Sequence, residues 1–96
     1  MIPLETKKET LAQEQTINIL LVDDKDENII SLESILDQPG RHLLKAHSGN
    51  EALRIALEEE IAVILLDVQM PDMDGFEVAR ILKENPKTRE IGRAHV

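Results

Sequence analysis

The chain is expected to fold as α/β, a doubly wound parallel sheet with helices over its faces. Two patterns predict this. Short aliphatic runs, "INILLV" at residues 17–22 and "IAVILL" at residues 61–66, each stop at aspartate, at Asp23 and Asp67, and neither alternates polar with apolar as a half-exposed strand would. Between and after them lie segments whose apolar residues recur at helical spacing, and strands alternating with helices imply right-handed crossovers and a parallel sheet.

Taken in order, residues 1–16 are polar, mixed in charge and too poor in apolar side chains to bury a face, and are read as a lead-in. Residues 17–22 form the first strand. Ile29, Leu32, Ile35 and Leu36 then mark the apolar face of a helix from about Glu27 to Asp37, ended by "QPG" at residues 38–40. "HLLKAH" at residues 42–47 is the second strand, with His42 and His47 read as ordinary strand residues. Ser48 with Glu51 three residues on is a capping pattern, and Ala52, Leu53, Ala56 and Leu57 carry a second helix to the acidic stop at residues 58–60. After the third strand, Asp74 and Glu77 repeat the capping pattern, and Val78, Ile81 and Leu82 face one side until Asn85 and Pro86. The expected order is β-α-β-α-β-α.

Composition narrows the function. At 96 residues the chain is one small domain at most. Its 19 acids against 11 Lys plus Arg give a formal charge of -8, which argues against nucleic acid as a partner through this segment. The single aromatic, Phe76, offers no stacking platform for bases. The absence of cysteine removes thiolate chemistry and Cys-based zinc sites, and fits a reducing cytoplasm. No apolar run is long enough to span a membrane, and the first residues have no secretory pattern.

Ligands of such sheets bind at the carboxyl ends of the strands, where the strand order reverses, and Asp23, Asp24 and Asp67 all stand at carboxyl ends. If strands one and three are neighbours, three carboxylates converge. Two ionised carboxylates about 4 Å apart repel by about 4 kcal/mol at an effective dielectric near 20, a conflict that a divalent cation removes. Oxygen-only ligands favour a hard ion such as Mg²⁺. A carboxylate beside Mg²⁺ can accept a phosphoryl group, which makes Asp67 a candidate nucleophile.

"ILLVDD" at residues 19–24, followed forty residues on by "ILLDVQMPDMDGFE" at residues 64–77, resembles the receiver domain of two-component response regulators, also found fused to hybrid histidine kinases. The resemblance implies a flavodoxin-like strand order and a signalling role rather than an enzyme. It implies phosphorylation of Asp67 by the phosphohistidine of a histidine kinase or phosphotransfer domain. By the same resemblance Asp24 is a direct Mg²⁺ ligand, Asp23 its companion acid acting through water, and the backbone carbonyl of Gln69 a main-chain ligand. Met70, Pro71, Asp74 and Gly75 match the loop that shapes the pocket.

The resemblance covers residues 17–90 as a partial, C-terminally truncated domain. The family's switch Ser or Thr and its Lys, which end strands four and five, have no counterpart here, and Lys83 and Lys87 stand at other positions. In one reading frame GAGATCGGAAGAGCACACGTC encodes residues 90–96, and all but its first base is similar to a common short-read sequencing adapter. Residues 91–96 are therefore expected to be an artefact, with no functional meaning for Arg93 or His95.

Two other readings compete. A Mg²⁺-dependent phosphohydrolase with an aspartyl nucleophile would place a second Asp where Gln69 stands. A receiver-like interaction domain without phosphorylation would have no need of Asp23, Asp24 and Asp67 together. Asp26, Glu27, Asp72 and the acids at 58–60 are read as helix-start or surface charges, and Met70 and Met73 as packing or loop residues.

Overall fold

The computed structural model describes residues 16–67 and 70–95, the last three by their backbone alone. Most of the expected lead-in, and Gln69, lie outside the described residues. The elements are β1 (Ile17–Val22), α1 (Asp26–Leu36), β2 (Arg41–Ala46), α2 (Gly49–Glu58), β3 (Val63–Leu66), α3 (Gly75–Glu84) and β4 (Gly92–His95). The strands form one parallel sheet in the order β2-β1-β3-β4.

That order explains why β1 is aliphatic at nearly every position. It lies between β2 and β3 with helices on both faces, so successive side chains enter opposite cores. Leu20 and Val22 join Ile64 and Leu66 of β3 in the larger core with Ala52 and Ala56 of α2 and Val78 and Leu82 of α3. Ile19 and Leu21 face the other way, onto Ile29 of α1. β3 is less evenly covered than its composition predicts. Ile64 and Leu66 are buried, while Val63 and Leu65 are only half-buried beside α1.

α1 departs from the expected face at one residue. Ile29 is buried and Leu32 and Leu36 half-buried, but Ile35 is 68% exposed. It lies six residues beyond Ile29, more than one and a half turns, which rotates it off the packed stripe. The helix stops at a turn in which Gly40 takes φ +84°, a left-handed conformation that favours glycine, and the Gly40 carbonyl accepts from Ile17 N–H at 2.9 Å to start the sheet.

The caps read from the sequence are present. Ser48 Oγ accepts from Glu51 N–H at 3.1 Å, and Asp74 Oδ1 from Glu77 N–H at 2.8 Å. α3 ends before Pro86, whose ring disfavours helical backbone at Asn85, and Asn85 is extended at φ -93°, ψ 124°. Beyond it Thr88 is fully buried and its hydroxyl donates to Leu82 O at 2.7 Å, closing the helix end. Thr88→Val keeps the shape and removes that donor. A loss of about 1 kcal/mol in urea unfolding is expected, the net worth of one hydrogen bond, since Leu82 O still accepts from Asn85 N–H at 3.4 Å.

The six expected elements are followed by a fourth strand. β4 pairs in parallel with the outer side of β3, Val63 opposite Gly92 through Leu66 opposite His95, and Gly92 N–H donates to Ala62 O at 3.1 Å. Such pairing needs only extended backbone against an open edge. β4 is formed by residues of the 91–96 segment that the sequence reading sets aside as an artefact, and the mixed composition of "GRAH" offers no strand signal of its own.

Candidate functional site

The strand order reverses between β1 and β3. The connection through α1 leaves β1 toward β2, and the connection through α2 returns across β1 to β3, so the carboxyl ends of β1 and β3 are adjacent with helices diverging from them. Asp23 and Asp24 follow β1, and Asp67 follows β3. One carboxylate oxygen from each lies within 4.8 Å of the other two. At that distance each pair of ionised carboxylates repels by about 3 kcal/mol or more at an effective dielectric near 20.

The backbone sets this convergence. Asp67 N–H donates to Val22 O at 2.9 Å, continuing the β1–β3 ladder one residue past the strand, and Asp23 N–H donates to Ala46 O at 3.1 Å on the other side. Asp23 is buried, and its oxygens are engaged: Oδ1 accepts from Lys25 N–H at 2.9 Å and Oδ2 from Asn28 Nδ2 at 3.0 Å. Asp23 thus builds the turn into α1, a local carboxylate-to-backbone bond. Asp24 differs. Its Oδ1 is buried and has no hydrogen-bond partner among the described residues, a costly state for a carboxylate oxygen unless a cation or proton meets it. Lys87, by contrast, has its Nζ on the carbonyl of Leu57 at the far end of α2, away from this cluster.

Two residues near the cluster make contacts across the fold that their sequence readings did not specify. His47 lies just beyond β2, where its Nε2 is 3.0 Å from Asp26 Oδ1 at the start of α1 and its Nδ1 is 4.0 Å from Glu51 Oε1 in α2. Asp72 is exposed but is no free surface charge. Its Oδ1 accepts from Gly49 N–H at 3.1 Å, and its Oδ2 from Asn50 N–H at 3.0 Å and Asn50 Nδ2 at 3.2 Å. It is a helix-start acid, but for α2 rather than for the α3 that follows it. The donated N–H groups, Asn50 foremost and then Gly49, hold its carboxyl below the usual aspartate range. The ionised form is the favoured one, so this contribution to stability is present at neutral pH and is lost as pH falls below the ordinary aspartate value through the depressed one.

Comparison with known proteins places this geometry. Residues 19–92 match the family model described as the response regulator receiver domain. The chain belongs to that family. The receiver domain is 45% identical over 73 residues to the response regulator PleD of Caulobacter vibrioides, covering 76% of the chain and 16% of that protein. It is 34% identical over 73 residues to the protein PilH of Pseudomonas aeruginosa, covering 76% of the chain and 60% of PilH. The chain thus spans from about a sixth to three fifths of these relatives. Among solved structures, the receiver domain of a sensor histidine kinase from Pseudomonas aeruginosa, described with a magnesium ion coordinated in its active site cleft, aligns with a TM-score of 0.76 and 26% identity over 82% of this chain and 65% of that one. The flavodoxin-like fold and the two-component signalling class are those of the family. None of the described helices is long and apolar enough to cross a membrane.

Proposed function

We propose that this receiver domain is a cytoplasmic phosphoacceptor, taking a phosphoryl group onto Asp67 from the phosphohistidine of a histidine kinase or phosphotransfer domain. The observation that carries the reading is the convergence of carboxylate oxygens from Asp23, Asp24 and Asp67 within 4.8 Å of one another, together with a buried Oδ1 of Asp24 that has no hydrogen-bond partner among the described residues. The donor set is all oxygen, which suits Mg²⁺, with Asp24, Asp67 and the backbone carbonyl of Gln69 as ligands and Asp23 as the companion acid. The magnesium described for the kinase receiver domain of similar fold supports the same assignment. The chemistry a bound Mg²⁺ supplies is neutralisation of charge on the phosphoryl oxygens and on the crowded carboxylates.

The chain's own residues do the rest. A carboxylate oxygen of Asp67 forms the bond to phosphorus as the phosphorus–nitrogen bond of the donor breaks, and the electron pair of that bond returns to the imidazole. The ladder bond from Asp67 N–H to Val22 O holds the nucleophile at the mouth of the sheet, and Asp23 fixes the turn that presents Asp24.

Asp24→Asn removes an anionic ligand and retains the shape. Mg²⁺ affinity is expected to fall at least by the roughly tenfold that loss of an outer-shell partner costs. The chain has no Trp or Tyr, so the titration is followed by calorimetry or amide NMR shifts. Superimposable titration curves for parent and variant would remove Asp24 from the site.

A further inference from the structure

We propose that Asp72 is a positioning residue for the phosphoacceptor loop: its carboxylate ties the β3–α3 connection to the first turn of α2, and Gly49 leaves the space that lets the two meet. The inference rests on the reading of Asp67 as phosphoacceptor.

The first N–H groups of a helix have no partners within it, and in α2 each is accounted for. Gly49 and Asn50 donate to Asp72, Glu51 donates to Ser48 Oγ, and Ala52 N–H begins the helical ladder on Ser48 O at 3.0 Å. Two of the three donors ahead of that ladder are therefore met by a side chain that arrives from the loop, 22 and 23 residues away. The negative carboxylate also lies at the positive end of the helix dipole.

Steric fit gives a second, independent link between the same two segments. A Cβ at Gly49 would stand 2.8 Å from Met73 Cβ and 3.1 Å from Val78 Cγ2. Met73 Cβ is bound directly to the loop backbone, so relief requires the loop or the helix to move. α2 itself is anchored, with Ala52 and Ala56 in the larger core beside Val22 and Leu66. Asp67 is bonded to Val22 O, and five residues on Asp72 is tied to α2.

The test uses the full chain with acetyl phosphate as donor at saturating Mg²⁺, at a temperature where circular dichroism shows every variant folded. Asp72→Ala is expected to slow labelling of Asp67 by about tenfold or more, since small misplacement of a reacting group is costly. Asp72→Asn keeps the volume and one acceptor oxygen and is expected to fall between the two, and it serves alone where Asp72→Ala does not fold. Gly49→Ala is expected to slow labelling in the same direction. A merely structural role would lower the unfolding temperature and leave the rate per folded molecule unchanged. That result, with the parent labelled at Asp67, overturns the positioning role while the phosphoacceptor reading stands. A parent that takes no label at Asp67 overturns both.

Discussion

Asp67→Asn is expected to reduce phosphoryl acceptance to background, with a phosphorylated histidine kinase or with acetyl phosphate as donor. The substitution exchanges one carboxylate oxygen for an amide nitrogen of nearly equal size, so the bond from residue 67 N–H to Val22 O and the surrounding strands are retained. What is lost is the anionic oxygen that bonds to phosphorus. The label on the parent should be an acyl phosphate, removed by hydroxylamine and seen by intact mass as one added phosphoryl group. Removing one charge from three that lie within 4.8 Å also relieves repulsion, so the variant should unfold at the same or a higher temperature than the parent. Full, hydroxylamine-resistant labelling of Asp67→Asn would place the acceptor elsewhere.

The opposed behaviour of activity and stability at Asp67 reflects why this site was legible in the sequence. A carboxylate at the end of an aliphatic run conflicts with its surroundings unless it has work to do, and two such conflicts, at residues 23–24 and at 67, mark the ends of two strands. The central strand β1 and the caps at Ser48 and Asp74 were legible for a related reason, because their signals are local: a run of aliphatics, or a residue and the one three places on. Features that join distant segments had no such signal. Asp72 meets Gly49 and Asn50 across more than twenty residues, and nothing in "MPDMDG" separates an acid that caps its own helix from one that caps another. His47 meets Asp26 across 21 residues, and only the fold brings them together. β4 pairs with β3 through backbone hydrogen bonds, which no side-chain pattern reports. Ile35 was misplaced for a different reason, since on a short helix an apolar residue just outside the stripe is hard to tell from one inside it.

The two faces of β3 supply the other large effect. Leu66 is completely buried in the larger core, opposite Val22 in the ladder, whereas its neighbour Leu65 is only half-buried on the α1 side. Leu66→Ala is expected to cost about 2–5 kcal/mol, the transfer of the lost methyl groups plus the cavity left behind. Leu65→Ala should cost about half of that or less, because much of its surface is already in water and the site can relax. Against a total stability of roughly 5–15 kcal/mol for a domain, the first substitution removes a substantial share and the second a small one. Urea unfolding separates them through the midpoint, with the slope unchanged if only the folded state is weakened. Equal losses at the two positions, or a larger one at Leu65, would contradict the assignment of the faces. Leu66 also carries the backbone directly into Asp67. Because the ladder bond at Asp67 is made by main-chain atoms, the molecules of Leu66→Ala that remain folded should still accept phosphate, so its deficit should track the folded fraction while that of Asp67→Asn does not.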